Sequence, residues 1–332
     1  MDRWAYTRGL KILGLTHSLS SNVGTLIHNP IYFEPGEIYS QVTNWERIED
    51  VDDTPEMNSH LRIFDSPDQP FELRSDGEEL IVQGDISSLE GRVHDRRRTL
   101  LGNIGLWYRH ALVTQERHGI FSLHAAAIYK PDKNELFIVV GKAGSGKTVF
   151  LLEAISRGYQ VFSTEMTYFS FLSEGIKFHR GALFDNIRAG TLIHDFPGAI
   201  DQLGIEVPQV DEPWEYKLSV DMRPVKTAQS EITNPILSFV FPRIEKGIAQ
   251  AFVKDISDPR KVAKLLFASA SEKIGSTFLM YESIPTVGLD TAELAAKRWE
   301  AMLELVEGGV WEIRQAVATL AGQNNCMESI EQ

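Results

Sequence analysis

The stretch Leu136–Thr148, LFIVVGKAGSGKT, constrains this chain more than any other. Leu136 to Val140 form an unbroken apolar run, which suits a strand covered on both faces. It leads directly into Gly141-Lys142-Ala143-Gly144-Ser145-Gly146-Lys147-Thr148, a complete GxxxxGK[ST] pattern. Three glycines permit a tight turn in which several backbone N–H groups converge on one anion. In such a turn Lys147 reaches the β- and γ-phosphates of a nucleotide, and the Thr148 hydroxyl can ligate Mg2+. Val149–Arg157 (VFLLEAISR) reads as a helix whose positive end faces the same point. The expectation is a phosphate loop, Gly141 to Val149, that takes a nucleoside triphosphate or another polyphosphate.

Composition bounds the rest. A chain of 332 residues, 43% hydrophobic and 24% charged, is globular in type and holds one large or two modest domains. No apolar run approaches spanning length, and the opening MDRWAYTRGL lacks the basic-then-apolar pattern of a signal peptide. Cys326 is the only cysteine, which excludes disulfides within the chain and cysteine-rich metal sites. These features predict a cytoplasmic protein with no membrane partner. The net charge of −13 is concentrated early: residues 1–95 hold 18 of the 46 Asp and Glu against 7 of the 33 Lys and Arg. No basic surface is offered to a phosphate backbone, so no nucleic-acid partner is expected.

The chain divides by pattern into residues 1–95, a strand-rich acidic module, and residues 96–332, which carry the loop and end in helices. In the first part, apolar runs at Leu10–Leu15, Thr25–Ile27, Ile31–Phe33, Leu61–Phe64 and Leu80–Gln83 alternate with turn clusters at Asn29-Pro30, Glu34-Pro35-Gly36 and Ser66-Pro67-Asp68. Trp45–Asn58 reads as an exposed acidic loop, in which Asp50, Asp52 and Asp53 lack the spacing of a Ca2+ loop. Asp95–Gln115 has helical periodicity, with Arg96, Arg97 and Arg98 at its solvent-facing start. Ile120–Tyr129 reads as one strand containing His124, followed by a hairpin into the loop strand, so the sheet is mixed. Within Phe178–Pro197, Arg180, Asn186 and Arg188 are candidate substrate contacts, and the two arginines suit an acidic or phosphorylated substrate. Asp185 there is a candidate base. An edge hairpin or lid is expected at Glu215–Asp221, with Lys217 as an exposed strand residue. Two closing helices are predicted at Thr291–Glu307 and Val310–Ala321, with a stripe of Leu294, Trp299, Met302, Leu303 and Leu305 serving as core or as a contact between copies of the chain. The tail after Gly322 is expected to fray.

Taken together, His124-Ala125-Ala126-Ala127, the hairpin, GKAGSGKT, a helix ending Ser156-Arg157-Gly158-Tyr159, and Val161-Phe162-Ser163-Thr164-Glu165 resemble the catalytic core of the HPr kinase/phosphorylase superfamily. The likeness is greatest to the stand-alone HPr kinase-like kinases and extends over about residues 120–275. Ala143 stands where that family's loop usually has Ser, and residues 1–95 do not resemble the N-terminal domain of the true HPr kinases. The resemblance implies an α/β, phosphoenolpyruvate carboxykinase-like fold, a mixed twisted sheet around the phosphate loop. It implies ATP with Mg2+, and phosphoryl transfer to a hydroxyl, with His124 near the transferred phosphate. The family's acidic pair aligns with Thr164-Glu165, which leaves Glu165 to join Thr148 on the metal or to take the hydroxyl proton. The expectation is an ATP-dependent kinase of a small-molecule hydroxyl, with Glu165, His124, Lys147 and Asp185 as catalytic candidates. A protein-serine kinase, a carboxykinase and a nucleotide sensor without turnover are its rivals.

Overall fold

The computed structural model describes residues 5–28, 44–54, 56–89, 100–102, 105–275, 279–280, 284–285 and 288–331. The chain is α/β with mixed sheets, and it divides into two compact units. One comprises residues 1–35, 47–120 and 271–298, the other 36–46, 121–270 and 299–332. These bounds differ from a single boundary after residue 95. Side-chain chemistry explains the difference, because residues far apart in sequence tie the first unit together. The Arg298 guanidinium donates to both Glu116 carboxylate oxygens at 2.6 and 2.8 Å and to Asp290 at 3.0 Å.

The first unit is built on a six-stranded sheet: β1 (Tyr6–Ile12), β2 (Leu15–Ser21), β3 (Glu49–Val51), β4 (Ser59–Asp65), β5 (Glu72–Ser75) and β6 (Glu79–Gly84), ordered β3-β1-β2-β4-β6-β5. The β1–β2 hairpin turns on Leu13 and Gly14, both at positive φ, the geometry that matches strand twist in a two-residue loop. Along β4, Leu61 and Ile63 are buried and alternate with half-exposed neighbours, the period of two expected of a one-sided strand. Thr25–Ile27 is part of a helical turn, Gly24–Ile27, instead of a strand. The segment expected as an acidic loop contains edge strand β3 and the buried Trp45, so it is not uniformly exposed. The helix α1 runs Leu106–Arg117. The expected strand Ile31–Phe33, the turns at Asn29-Pro30 and Glu34-Pro35-Gly36, and Arg96–Arg98 lie outside the described residues.

The second unit carries the glycine-rich loop. Its strands are β7 (Ile120–Leu123), β8 (Ala125–Lys130), β9 (Glu135–Val140), β10 (Gln160–Ser163), β11 (Thr167–Leu172), β12 (Gly175–His179), β13 (Phe184–Arg188), β14 (Lys217–Asp221), β15 (Glu231–Thr233), β16 (Ile236–Ile244), β17 (Phe252–Asp255) and β18 (Ile313–Ala321). Six form the main sheet in the order β10-β8-β9-β16-β18-β17, four form a second sheet β15-β12-β11-β7, and β13 pairs with β14. β8 and β9 are antiparallel, whereas β9, β16 and β18 are parallel, so the main sheet is mixed.

Every residue of β9 is buried, as its apolar run requires. Phe137 and Val139 pack with helices α2 (Lys147–Ser156) and α3 (Pro197–Leu203) on one face. Leu136, Ile138 and Val140 pack on the other with the second sheet, α4 (Pro259–Ser271) and the later half of α5 (Ala292–Glu307). Each such side chain contributes about 1.5–3 kcal/mol by burial, which fixes the strand that feeds the loop.

Two C-terminal expectations are corrected. Val310–Ala321 is not a helix: Val317, Thr319 and Ala321 are buried at a period of two, and β18 lies parallel to β16 inside the sheet. That burial outweighs the helix propensity of its Ala, Gln and Leu residues. The tail does not fray either. Cys326, Met327 and Ile330 are buried in the α2 core, and the Cys326 thiol donates to Glu153 at 2.5 Å. No helix among the described residues is long and apolar enough to cross a membrane.

Candidate functional site

Between β9 and α2 the backbone of Gly144 and Gly146 takes φ of 82° and 103°. Gly146 is constrained twice, because a Cβ there would also lie 2.2 Å from Ile244 Cγ1. The Ile244 N–H donates to the Ser145 carbonyl at 3.1 Å, pinning the turn to the end of β16. Lys147 is nearly buried, and its ammonium donates to the Gly141 carbonyl at 2.7 Å, folded back across the turn.

This turn and the β13–β14 ribbon line a cleft of about 370 Å³. Asp185 enters it from the buried side of β13, where it is only 2% exposed. The Thr148 hydroxyl donates to one of its oxygens at 2.9 Å, and the Asn186 N–H donates to the other at 2.7 Å. Burial pushes its carboxyl up to about 7, and the charge of Glu165 adds to the rise; Thr148, the Asn186 N–H and Lys147 oppose it. Thr164 bonds to the segment just before Asp185. Its hydroxyl lies 2.7 Å from the Phe184 carbonyl and 3.0 Å from that of Ala182, which also accepts the Thr164 N–H. Thr164 therefore ties down the segment that leads into Asp185.

Glu165 follows in the turn between β10 and β11, and its carboxylate is 2.9 Å from His124 Nε2. One expectation about this pair changes. His124 is not inside one long strand but at a bend where the chain leaves β7 of one sheet for β8 of the other. The strand before Glu165 pairs with β8 and not with the loop strand β9. The Ser269 hydroxyl donates to the His124 carbonyl at 3.1 Å and holds the bend.

The cleft gathers Lys142, Ala143, Gly144, Gly146, Lys147, Thr148, Val149, Glu165, Asp185, Asn186 and Arg188, with His124 behind Glu165. Gly141 and Ser145 complete the turn. Arg180 stands apart from that lining, contrary to its expected substrate role. Its guanidinium is buried and donates to the Thr227 and Gln229 carbonyls at 2.6 and 3.0 Å and to Glu46 at 2.5 Å, which occupies it structurally. Lys217 is an exposed strand residue of β14, as expected, and it lines the cleft together with Lys246, which no sequence pattern singles out. For Lys217 the usable signal was the alternation in the expected hairpin, which needed its pairing with β13 to acquire a direction.

Thr148, Asp185 and Glu165 present hard oxygen donors, and a buried carboxyl raised by a neighbouring carboxylate is a place where a divalent cation relieves repulsion. Among the described residues no three His, Cys, Asp or Glu side chains converge as a metal-binding group. Hard oxygen donors of this kind are those that Mg2+ takes beside phosphate and water. No protein-family model matches the chain, and no curated protein matches it.

Proposed function

We propose that this chain is an ATP-dependent kinase that transfers the γ-phosphoryl group to a hydroxyl of a small molecule, on a phosphoenolpyruvate carboxykinase-like fold. The observation that carries the reading is the Thr148–Asp185 contact at the foot of the glycine-rich turn, with Glu165 lining the same cleft. Phosphoryl transfer needs positioning, charge neutralisation and an acceptor for one proton, and little else from the protein. The N–H groups of the turn and Lys147, released from the Gly141 carbonyl, bind the phosphates. Thr148 and Asp185 would hold Mg2+, which would neutralise charge on the phosphates. Glu165, oriented by His124, accepts the hydroxyl proton as the acceptor oxygen bonds to phosphorus and the bond to the leaving ADP breaks. Asp185 thus supplies the second carboxylate that Thr164 does not.

The test follows ATP consumption with Mg2+ across polyols, sugars and amino acids, with Lys147→Ala as the control. Acceptor-dependent ADP formation that disappears in the variant is the expected result. Equal nucleotide affinity and rate in wild type and Lys147→Ala would overturn the reading.

A further inference from the structure

The main sheet has two edges, and the chain treats them differently. At β10 the edge is covered: Val161 bridges to Lys226, and the Thr227 N–H donates to the Val161 carbonyl at 2.9 Å. At the other end stands β17, which among the described residues has a neighbouring strand only on its β18 side. All four residues of β17 are exposed, and two of them are apolar, Phe252 at 60% and Val253 at 43%. The pairing with β18 fixes which peptide groups look outward. β17 is antiparallel to β18, with Phe252 opposite Leu320 and Asp255 opposite Val317, and the Ile256 N–H donates to the Ala316 carbonyl at 2.8 Å. Peptide groups in such a ladder point alternately to either side, so those of Phe252, Lys254 and Ile256 face β18. Those of Val253 and Asp255 face away from it, and an exposed apolar edge of this kind is a template for another strand.

We infer that this edge is an interface between two copies of the chain, β17 pairing antiparallel with β17 across a two-fold axis. A second copy is singled out by what the strand presents to itself. The outward groups of Val253 and Asp255 permit a two-fold pairing in three registers. Centred on Asp255, the pairing sets two carboxylates face to face. With Val253 opposite Asp255, it sets Lys254 against Lys254. Like charges directly opposite disfavour both. Centred on Val253, valine meets valine, and Phe252 lies across from Lys254 of the other copy, an ammonium beside an aromatic ring. That register covers the two exposed apolar residues at the centre of the contact and sets no like charges directly opposite. The inference stands apart from the kinase reading.

Sedimentation equilibrium tests it. The wild-type chain should dimerise with a Kd on the order of tens of micromolar, because a four-residue edge covers less than a standard interface. Val253→Lys and Val253→Glu should each weaken self-association by about tenfold or more, since the position faces itself and either charge repels its copy. Mixed in equal amounts, the two variants should associate with each other at least as tightly as wild type does with itself. Neither a misfolded variant nor a contact elsewhere on the surface produces that recovery. A wild-type chain that stays monomeric up to about 0.5 mM would overturn the inference and leave the edge to a strand from another protein. Dimers that both substitutions leave intact would place the interface elsewhere. A mixture no more associated than its two components would show that Val253 does not face itself.

Discussion

Glu116 in the first unit and Asp185 in the second are almost equally buried, at 0% and 2% exposure, yet they are served in opposite ways. Glu116 receives two guanidinium N–H bonds from Arg298, itself 1% exposed. Asp185 receives a hydroxyl and one backbone N–H, and among the described residues it has no ion pair, only the more distant charge of Lys147 acting on it. Burial raises both carboxyls, but the Arg298 charge opposes the rise at Glu116, while the Glu165 charge adds to it at Asp185. A buried acid that is only structural is compensated inside the fold. One that is left uncompensated at the edge of a cleft stores repulsion that a ligand can relieve.

The largest effect should come from breaking the compensated pair. Arg298→Met leaves Glu116 buried and unpaired and removes a donor to Asp290, which should cost about 3–5 kcal/mol. Urea unfolding at pH 7 measures it, and the double variant with Glu116→Gln should recover much of the loss. A cost below about 1 kcal/mol would mean that Glu116 is protonated already, and the contrast with Asp185 would collapse.

The units should next differ in the sign of their pH dependence. Burial is the main cause that lowers His17 to about 3 and His110 to about 4, from 6.5. As pH falls below 6.5 the unfolded chain takes up protons that these folded side chains refuse, so stability drops, by about 2 kcal/mol for each at pH 5. Asp185 acts in reverse. Its pKa is raised from 3.8 to about 7, so its favourable contribution is complete in acid and is lost as pH rises towards 7. Hydrogen exchange at pH 5 and pH 7 should show the unit with His17 and His110 loosening in acid, and replacing both with Gln should flatten that trend. Uniform loosening of both units would contradict the comparison.

Asp185→Asn follows, with the opposite sign to Arg298→Met. At pH 8 the empty variant should be more stable than wild type by about 2 kcal/mol. The gain is limited because the amide is a weaker acceptor for Thr148 and Asn186. On the kinase reading it should also need more Mg2+ for turnover. Unchanged stability together with an unchanged Mg2+ requirement would leave Asp185 an ordinary buried acid.

What the sequence disclosed follows the range of the forces involved. The turn and its flanking elements were legible because glycine spacing, an apolar run and a helix pattern lie within some twenty neighbouring residues. The β8–β9 hairpin was legible for the same reason. Less was visible wherever distant segments decide. Ile313–Ala321 carries helix-forming residues and becomes a strand only because β16 is there to pair with it. Arg180, in an apparently polar loop, is consumed by the carbonyls of Thr227 and Gln229, some fifty residues on. Asp185 could be flagged by composition, but its contact with Thr148 and the Thr164 tether beside it, from the hydroxyl to the Ala182 and Phe184 carbonyls, join segments apart in sequence.

That tether supplies the smallest and most selective effect. Thr164→Val keeps the shape of the side chain and deletes the hydroxyl between the Ala182 and Phe184 carbonyls. The Thr164 N–H continues to donate to Ala182, so the segment should stay folded at a cost of about 1 kcal/mol, the net value of a buried hydrogen bond. If the hydroxyl only stabilises, turnover and Mg2+ requirement at low temperature should match wild type once the folded fraction is equal. If it sets the position of Asp185, the Mg2+ requirement should rise as it does in Asp185→Asn, though by less, and combining the two substitutions should add little beyond Asp185→Asn alone. That non-additivity is the decisive reading, because residues acting through one contact do not sum. Full additivity would separate Thr164 from Asp185 and leave the placement of the carboxylate to the β13–β14 pairing by itself.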